Sequence, residues 1–148
     1  AWSDAVFKTA LLSNAKPALN TIDVEPLEAG FQVLENTPQT HNVIVCTLCS
    51  CYPRSILGAP PAWYVSKAYR SRVVIEPRAV LAEFGMEIDE HREVRVHDST
   101  ADFRYMVMPM RPEGTEGWSA DDLANLVNRD SLIGVSAATQ PQAGTRSQ

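Results

Sequence analysis

The residues with the most chemistry to offer are Cys46-Thr47-Leu48-Cys49-Ser50-Cys51, which hold all three cysteines of the 148-residue chain. Sulfurs at i, i+3 and i+5 reach one ion only if the backbone wraps tightly round it. The Cys49-Ser50-Cys51 step is too short for an ordinary tetrahedral zinc knuckle, which pairs its cysteines as C-x₂-C with further ligands elsewhere. In so short a loop the amide nitrogens of Ser50 and Cys51 lie between the two sulfurs. A sufficiently acidic metal can bind those nitrogens too. The result is a planar N₂S₂ base with Cys46 as an axial thiolate and one position open for Lewis-acid catalysis. Spacing alone leaves other readings open: a structural zinc or iron–sulfur site, a redox pair with one spare thiol, or plain buried cysteines. Zinc needs a fourth ligand, and neither His41, His91 nor His97 stands at a standard ligand spacing from the cysteines.

Such a loop must be carried by something rigid. Residues 42–45, Asn-Val-Ile-Val, read as a short buried strand that delivers Cys46. Beyond the loop, Pro53 suits a first helical position and Gly58 a stop. The cysteines are therefore expected between a strand end and a helix N-terminus, whose positive end favours thiolate.

The stretch Val45-Cys46-Thr47-Leu48-Cys49-Ser50-Cys51-Tyr52-Pro53 resembles the metal-binding segment of nitrile hydratase α subunits and of the homologous thiocyanate hydrolase subunit. The resemblance continues through residues 57–64, 69–74, 76–85, 104–109, 111–117 and 129–135, and so covers most of the chain from about residue 31 to 137. It implies an α+β fold, a layered α-β-β-α domain of the nitrile hydratase α-subunit kind. It implies a non-haem metal held by the sulfurs of Cys46, Cys49 and Cys51 and by the amides of Ser50 and Cys51. Cys49 is then expected as sulfinic acid and Cys51 as sulfenic acid, two rungs of the thiol oxidation ladder. Oxygenated sulfurs donate less charge, so a trivalent ion keeps its acidity. Thr47 stands where cobalt-carrying members usually have Thr and iron-carrying members Ser, which points to low-spin Co(III), with iron as second choice. Asp98 and Arg104 match the acid and the arginine just outside the metal loop, anchoring donors to the oxidised sulfurs. Read without the family, Asp98 caps a turn and Arg104 makes a surface pair.

The implied activity is hydration of a nitrile to its amide, with Cys49, Ser50 and Cys51 at the reacting centre. The attacking oxygen comes either from the Cys51 sulfenate or from water at the open position. The implied partner is a β subunit, or its split equivalents, contributing arginines and the pocket wall. Two features depart from the family pattern. The N-terminal helical arm is shorter than usual, and Arg54 stands where many nitrile hydratases have tryptophan. Both keep a thiocyanate hydrolase subunit as the alternative enzyme. A non-catalytic metal-binding module is the alternative of another class.

Composition sets looser bounds. The length suits one compact domain, and 45% hydrophobic residues suffice for a core. Net charge is −5 with no basic cluster, so nucleic acid is not an expected partner. No signal peptide and no run of about 18 apolar residues is present, so neither export nor membrane insertion is indicated. An odd number of cysteines crowded into one loop argues against a secreted disulfide framework, and a cytoplasmic location is expected.

Along the chain, residues 1–21 read as an N-terminal helical segment, 22–137 as the metal-binding domain and 138–148 as a disordered polar tail. Within the first segment a helix is expected over 2–19, with Trp2, Ala5, Val6, Leu11 and Leu12 on one face and Pro17 ending or kinking it. Residues 31–35 read as a strand and 36–40 as a turn. Residues 60–68 read as a short helix whose Trp63, Tyr64 and Tyr69 serve either the core or a subunit interface. Pro77 and Gly85 frame another helix with Val80, Leu81 and Phe84 inward. Residues 93–97 and 102–110 alternate and read as a hairpin about the turn 98–101. Ser119 and Asp122 resemble a capping box opening a helix to about Asn128, with Leu123, Leu126 and Val127 inward. Residues 131–135 read as a last strand.

Overall fold

The computed structural model describes residues 1–141. Asp4 starts the first helix, its side chain accepting from Phe7 N at 2.9 Å. The expected single helix is two, α1 (Ala5–Ser13) and α2 (Ala15–Asn20). The break lies at Asn14, which is extended at φ −153° and serves as the end of one helix and the start of the next. Pro17 does not end the helix. It sits in the first turn of α2, where backbone N–H groups have no intrahelical partner and a missing one costs nothing. The buried face is Leu11, Ala15, Ala18 and Leu19, not the expected Ala5 and Val6, which are exposed.

Strands β1 (Gly30–Glu35) and β2 (Thr40–Val45) follow, then the short helices α3 (Arg54–Leu57), α4 (Ala62–Val65), α5 (Lys67–Arg72) and α6 (Pro77–Glu83). The expected helix over 60–68 breaks at Ser66, whose hydroxyl accepts from Tyr69 N and starts α5. The aromatic residues there resolve toward the core. Tyr64 and Tyr69 are buried, and Trp63 meets Tyr69 and Phe84 edge-on at 4.9 and 4.7 Å between centroids. Helix α6 forms as expected, with Val80 and Leu81 buried and Gly85 at φ 88° beyond its end.

Strands β3 (Glu93–Asp98) and β4 (Phe103–Met108) are not a hairpin. Each joins a different two-stranded parallel sheet: β4 pairs with β1, and β3 with β2. Alternation marks a strand but does not choose its partner. The choice is made by burial. Val43, Ile44 and Val45 are fully buried on both faces of β2, as suits a parallel pair covered by helices. At residues 99–102 the chain steps from one sheet to the other, Ser99 N extending the β2 ladder by donating to Val45 O at 2.7 Å. The two sheets lie between helices: Leu11 and Leu19 cover β1 and β4, while Tyr69, Val73, Val80 and Leu81 join the β2 core. Mixed α+β architecture is thus as expected.

Two helices close the described chain, α7 (Ala120–Ala124) and α8 (Arg129–Ile133). Ser119 caps α7 through Asp122 N, but the helix stops at Ala124 rather than reaching Asn128; Leu123 and Leu126 are buried as expected. The expected strand over 131–135 is helix α8. The side chains of Asn128 and Ser131 each accept from the other's backbone N–H, a reciprocal cap that outweighs the β-branched look of Ile133 and Val135. Gly134 ends α8 at φ 92°, and a Cβ there would strike Asn42 O. Ala138 is still buried and Thr139 N donates to Leu126 O at 2.8 Å, so the polar end of the chain stays attached at least that far. Residues 142–148 of the expected tail lie outside the described residues.

At the start of β2 is a polar cluster inside the core. His41 Nε2 faces Gly134 O at 2.6 Å and must donate to it, so Nδ1 accepts from Asn36 Nδ2 at 3.2 Å. Asn36 Oδ1 accepts from Asn42 N at 2.7 Å, and Asn42 Oδ1 accepts from His97 Nε2 at 2.8 Å. Burial holds both imidazoles below the ordinary histidine pKa, consistent with neutral rings.

Candidate metal centre

The β2 strand ends where the cysteines begin. Cys46 and Cys51 are buried, Cys49 is exposed, and Leu48 at the loop tip is 82% exposed. Cys49 Sγ lies 3.5 Å from Cys46 Sγ and 3.0 Å from Cys51 Sγ, and all three sulfurs fall within 4.8 Å of one another. At a metal–sulfur bond of about 2.3 Å, cis ligands at right angles sit about 3.3 Å apart and tetrahedral ones about 3.8 Å apart. The two short spacings fit cis positions of a square or octahedral sphere better than a zinc tetrahedron. Cys49 N donates to Cys46 Sγ at 3.3 Å, and the main-chain nitrogens of Ser50 and Cys51 lie along the chain between the Cys49 and Cys51 sulfurs. Thiolates interleaved with main-chain nitrogens are a donor set suited to an acidic transition metal.

The loop holds this shape because carbonyls at its entry and exit are captured by side chains from elsewhere in the fold. Tyr69 Oη donates to Ile44 O at 2.6 Å and Tyr64 Oη to Cys51 O at 2.7 Å. Arg70 Nε donates to Cys46 O at 3.2 Å and its Nη2 to Thr47 O at 2.8 Å. Arg104 Nη1 donates to Tyr52 O at 2.6 Å and its Nε to Thr100 O at 2.9 Å. Asp98, at the end of β3, accepts from Thr47 N at 2.9 Å through Oδ1 and from Thr47 Oγ1 at 2.6 Å through Oδ2. Thr47, Asp98 and Arg104, singled out from the sequence beside the cysteines, are therefore on or against this loop. Asp98 grips the loop rather than capping its own turn, and Arg104 ties the loop's exit to the β3–β4 step rather than making a surface pair.

Burial pushes the Cys51 thiol up to about 12, helped by its neighbouring sulfurs. Cys49 is lowered, first by hydrogen bonding with Cys51 and Cys46. Helix α3 is only four residues long with Pro53 as its cap, too short to be the main influence expected of it.

Three contributors were not legible beforehand. Tyr64 and Tyr69 were visible as aromatics, but nothing showed their hydroxyls pointing at the loop. Arg70 lies in the stretch 69–74 that resembles the family, but nothing there told it from Arg72, which has the same type and pairs at the surface with Glu76 and Glu83. A cleft of about 450 Å³ lined by Leu27, Glu28, Arg54, Ser55 and Arg104 opens beside the loop's exit. An apolar cleft of about 250 Å³ between Trp2, Leu11, Met108 and Leu123 has no cysteine, carboxylate or imidazole in its lining.

A family model described as "Nitrile hydratase, alpha chain" matches residues 1–136. The chain belongs to the nitrile hydratase α-chain family. It is 52% identical over 142 residues to the low-molecular-weight cobalt-containing nitrile hydratase subunit alpha of Rhodococcus rhodochrous, covering 95% of this chain and 69% of that one. It is 46% identical over 147 residues to the thiocyanate hydrolase subunit gamma of Thiobacillus thioparus, covering 91% of this chain and 60% of that one. Among solved structures it superposes on a histidine double mutant of the Fe-type nitrile hydratase of Comamonas testosteroni Ni1. The TM-score is 0.90 at 47% identity, over 99% of this chain and 72% of that one. Membership of the nitrile hydratase family makes the chain a subunit of an enzyme. Among the described residues no helix is long and apolar enough to cross a membrane.

Proposed function

We propose that this chain is the metal-binding catalytic subunit of a nitrile hydratase, with Cys46, Cys49, Ser50 and Cys51 as ligands to low-spin Co(III). Iron is the second choice, since the Comamonas relative is named as Fe-type. The observation that carries this reading is the convergence of three sulfurs on one point, with the Cys46, Thr47 and Cys51 carbonyls held away from it by Arg70 and Tyr64. Cobalt is favoured by relatives named as cobalt-containing and by Thr47.

When bound, the ion supplies Lewis acidity toward the nitrile. Cys46 enters from the buried strand end. Cys49, as sulfinic acid, lies on the exposed rim. Cys51, as sulfenic acid, presents either its own oxygen or an adjacent water to the nitrile carbon. Thr47, Asp98 and Arg104 hold the loop while charge moves onto it. The rim is open on the side of Leu48 and Cys49, which a β subunit or its split equivalents would cover, adding arginines to the oxidised sulfurs. A cytoplasmic location belongs to the same reading.

A thiocyanate hydrolase subunit is the second reading, and one observation favours it. Arg54 is exposed and shares the cleft beside the loop with Arg104; Glu28 in the same lining is held by Ser55, and the two guanidinium groups leave a net positive setting that suits an anion such as thiocyanate. The test is metal analysis of the purified complex, with the mass of the tryptic peptide ending at Arg54 after alkylation without reductant. Cobalt, with extra oxygen on Cys49 and Cys51, is the expected result, and turnover of nitrile against thiocyanate separates the two enzymes. Tetrahedral zinc with three plain thiols would make the chain a non-catalytic metal-binding module.

A further inference from the structure

Two charged side chains meet the metal loop at opposite ends of one peptide group. Arg70, on α5, donates through Nε to the Cys46 carbonyl at 3.2 Å. Asp98, at the end of β3, accepts from Thr47 N at 2.9 Å. The Cys46 carbonyl and the Thr47 N–H belong to the same planar amide, so a cation sits at its acceptor end and an anion at its donor end. We propose that Arg70 and Asp98 form a single positioning unit that acts on Cys46 through the Cys46–Thr47 peptide.

Each hydrogen bond is charge-assisted, and each polarises the amide in the sense that strengthens the other. Neither charge is spent elsewhere. Among the described residues Arg70 and Asp98 make no ion pair, whereas Arg72, on the same helix, is paired twice. Each side chain also has a second hold on the loop: Arg70 Nη2 on Thr47 O at 2.8 Å, Asp98 Oδ2 on Thr47 Oγ1 at 2.6 Å. The peptide plane is thereby fixed from both sides.

That plane matters because of which cysteine it carries. Cys49 and Cys51 are separated by one residue and their sulfurs lie 3.0 Å apart, so their directions are set within the loop. Cys46 lies outside that short ring, and its sulfur meets the ring's backbone through Cys49 N, which donates to it at 3.3 Å. Its Cα–Cβ direction follows from the strand before it and the peptide after it, and Arg70 and Asp98 hold the latter. The inference rests on the metal-binding reading above. Arg70 is a positioning residue, because it touches only backbone carbonyls.

The test is a double-mutant cycle over wild type, Arg70→Gln, Asp98→Asn and the double variant, read as the rate of metal loss to a strong chelator from the assembled complex. Each single change is expected to speed loss about 10-fold. The double variant is expected to match the singles rather than to reach their product of about 100-fold. A double variant within twofold of the product, or a wild-type rate in Arg70→Gln, overturns the proposal. If Arg70→Gln does not fold, Arg70→Lys replaces it; its cation reaches one carbonyl instead of two, and it must again be non-additive with Asp98→Asn. The second readout needs no metal. In the full chain the Thr47 amide proton resonance should move upfield in Arg70→Gln, although Arg70 does not touch that proton. An unmoved resonance overturns the coupling. A wild-type complex without metal at the cysteines would instead end the metal-binding reading, and the Thr47 resonance would then decide the coupling alone.

Discussion

Strand β2 has a polar constellation at each end, and the two differ in one respect. At its start, Asn36, His41, Asn42 and His97 satisfy one another: His41 bridges Asn36 and Gly134, and Asn36 and His97 meet on Asn42. At its end, three sulfurs converge and turn their hydrogen bonding on one another and on Cys49 N, while the carbonyls of Ile44, Cys46, Thr47, Cys51 and Tyr52 are each held by a side chain. A saturated polar cluster holds structure. Donors gathered on one point and left unsaturated are a site. The first cluster is needed for the second, because it pins the start of the strand that delivers Cys46.

The sharpest way to break this contrast is at the sulfurs. Cys51→Ala or Cys49→Ala should bring metal content and nitrile hydration to background while the thermal midpoint of the metal-free chain barely moves; substantial turnover in either variant would count against the ligand set. Arg104→Ala comes next. It should lower kcat by about 10- to 100-fold with metal content retained, and unchanged kinetics would make it scaffold only.

The saturated end should behave in the opposite way. His41→Ala strands Asn36 and the Gly134 carbonyl, so it should cost about 3 kcal/mol in denaturant unfolding while the metal-loaded absorption keeps its shape. Acid acts on the same groups. His41 and His97 have folded pKa values below their unfolded 6.5, so the unfolded state binds more protons. Their contribution is therefore full above about pH 6.5 and is lost as pH falls toward the folded values. Wild type should lose stability between pH 7 and 5, and His41→Gln should flatten that slope. The smallest expected effect is Tyr52→Phe. The Tyr52 hydroxyl is buried with no hydrogen-bond partner among the described residues, so its removal should be neutral or stabilising by up to about 1 kcal/mol.

What could be read from the sequence follows the same division. The cysteine loop was legible because its chemistry lies within six consecutive residues, and Asp98 and Arg104 were legible through the family pattern. Helix starts at Asp4 and Ser66 and the α8 cap at Asn128 are local, and they explain why a long helix split and an apolar segment became helical. Strand pairing was not legible. Residues 93–110 look like a hairpin, and only the two-sided burial of Val43–Val45 sends the strands to separate partners. Arg70 was hidden for a related reason: its partners lie 23 and 24 residues away, beyond any helical or strand period.

The parallel pairing also sets an order in time. Thr47 waits for Asp98, 51 positions later, and Tyr52 for Arg104, 52 positions later. At roughly 5–20 residues per second of synthesis, the cysteines emerge several seconds before the side chains that shape them. Until β3 pairs with β2, the loop lacks two of the side chains that hold its shape. Its closure is thus a long-range step, paced by the pairing of strands about fifty residues apart.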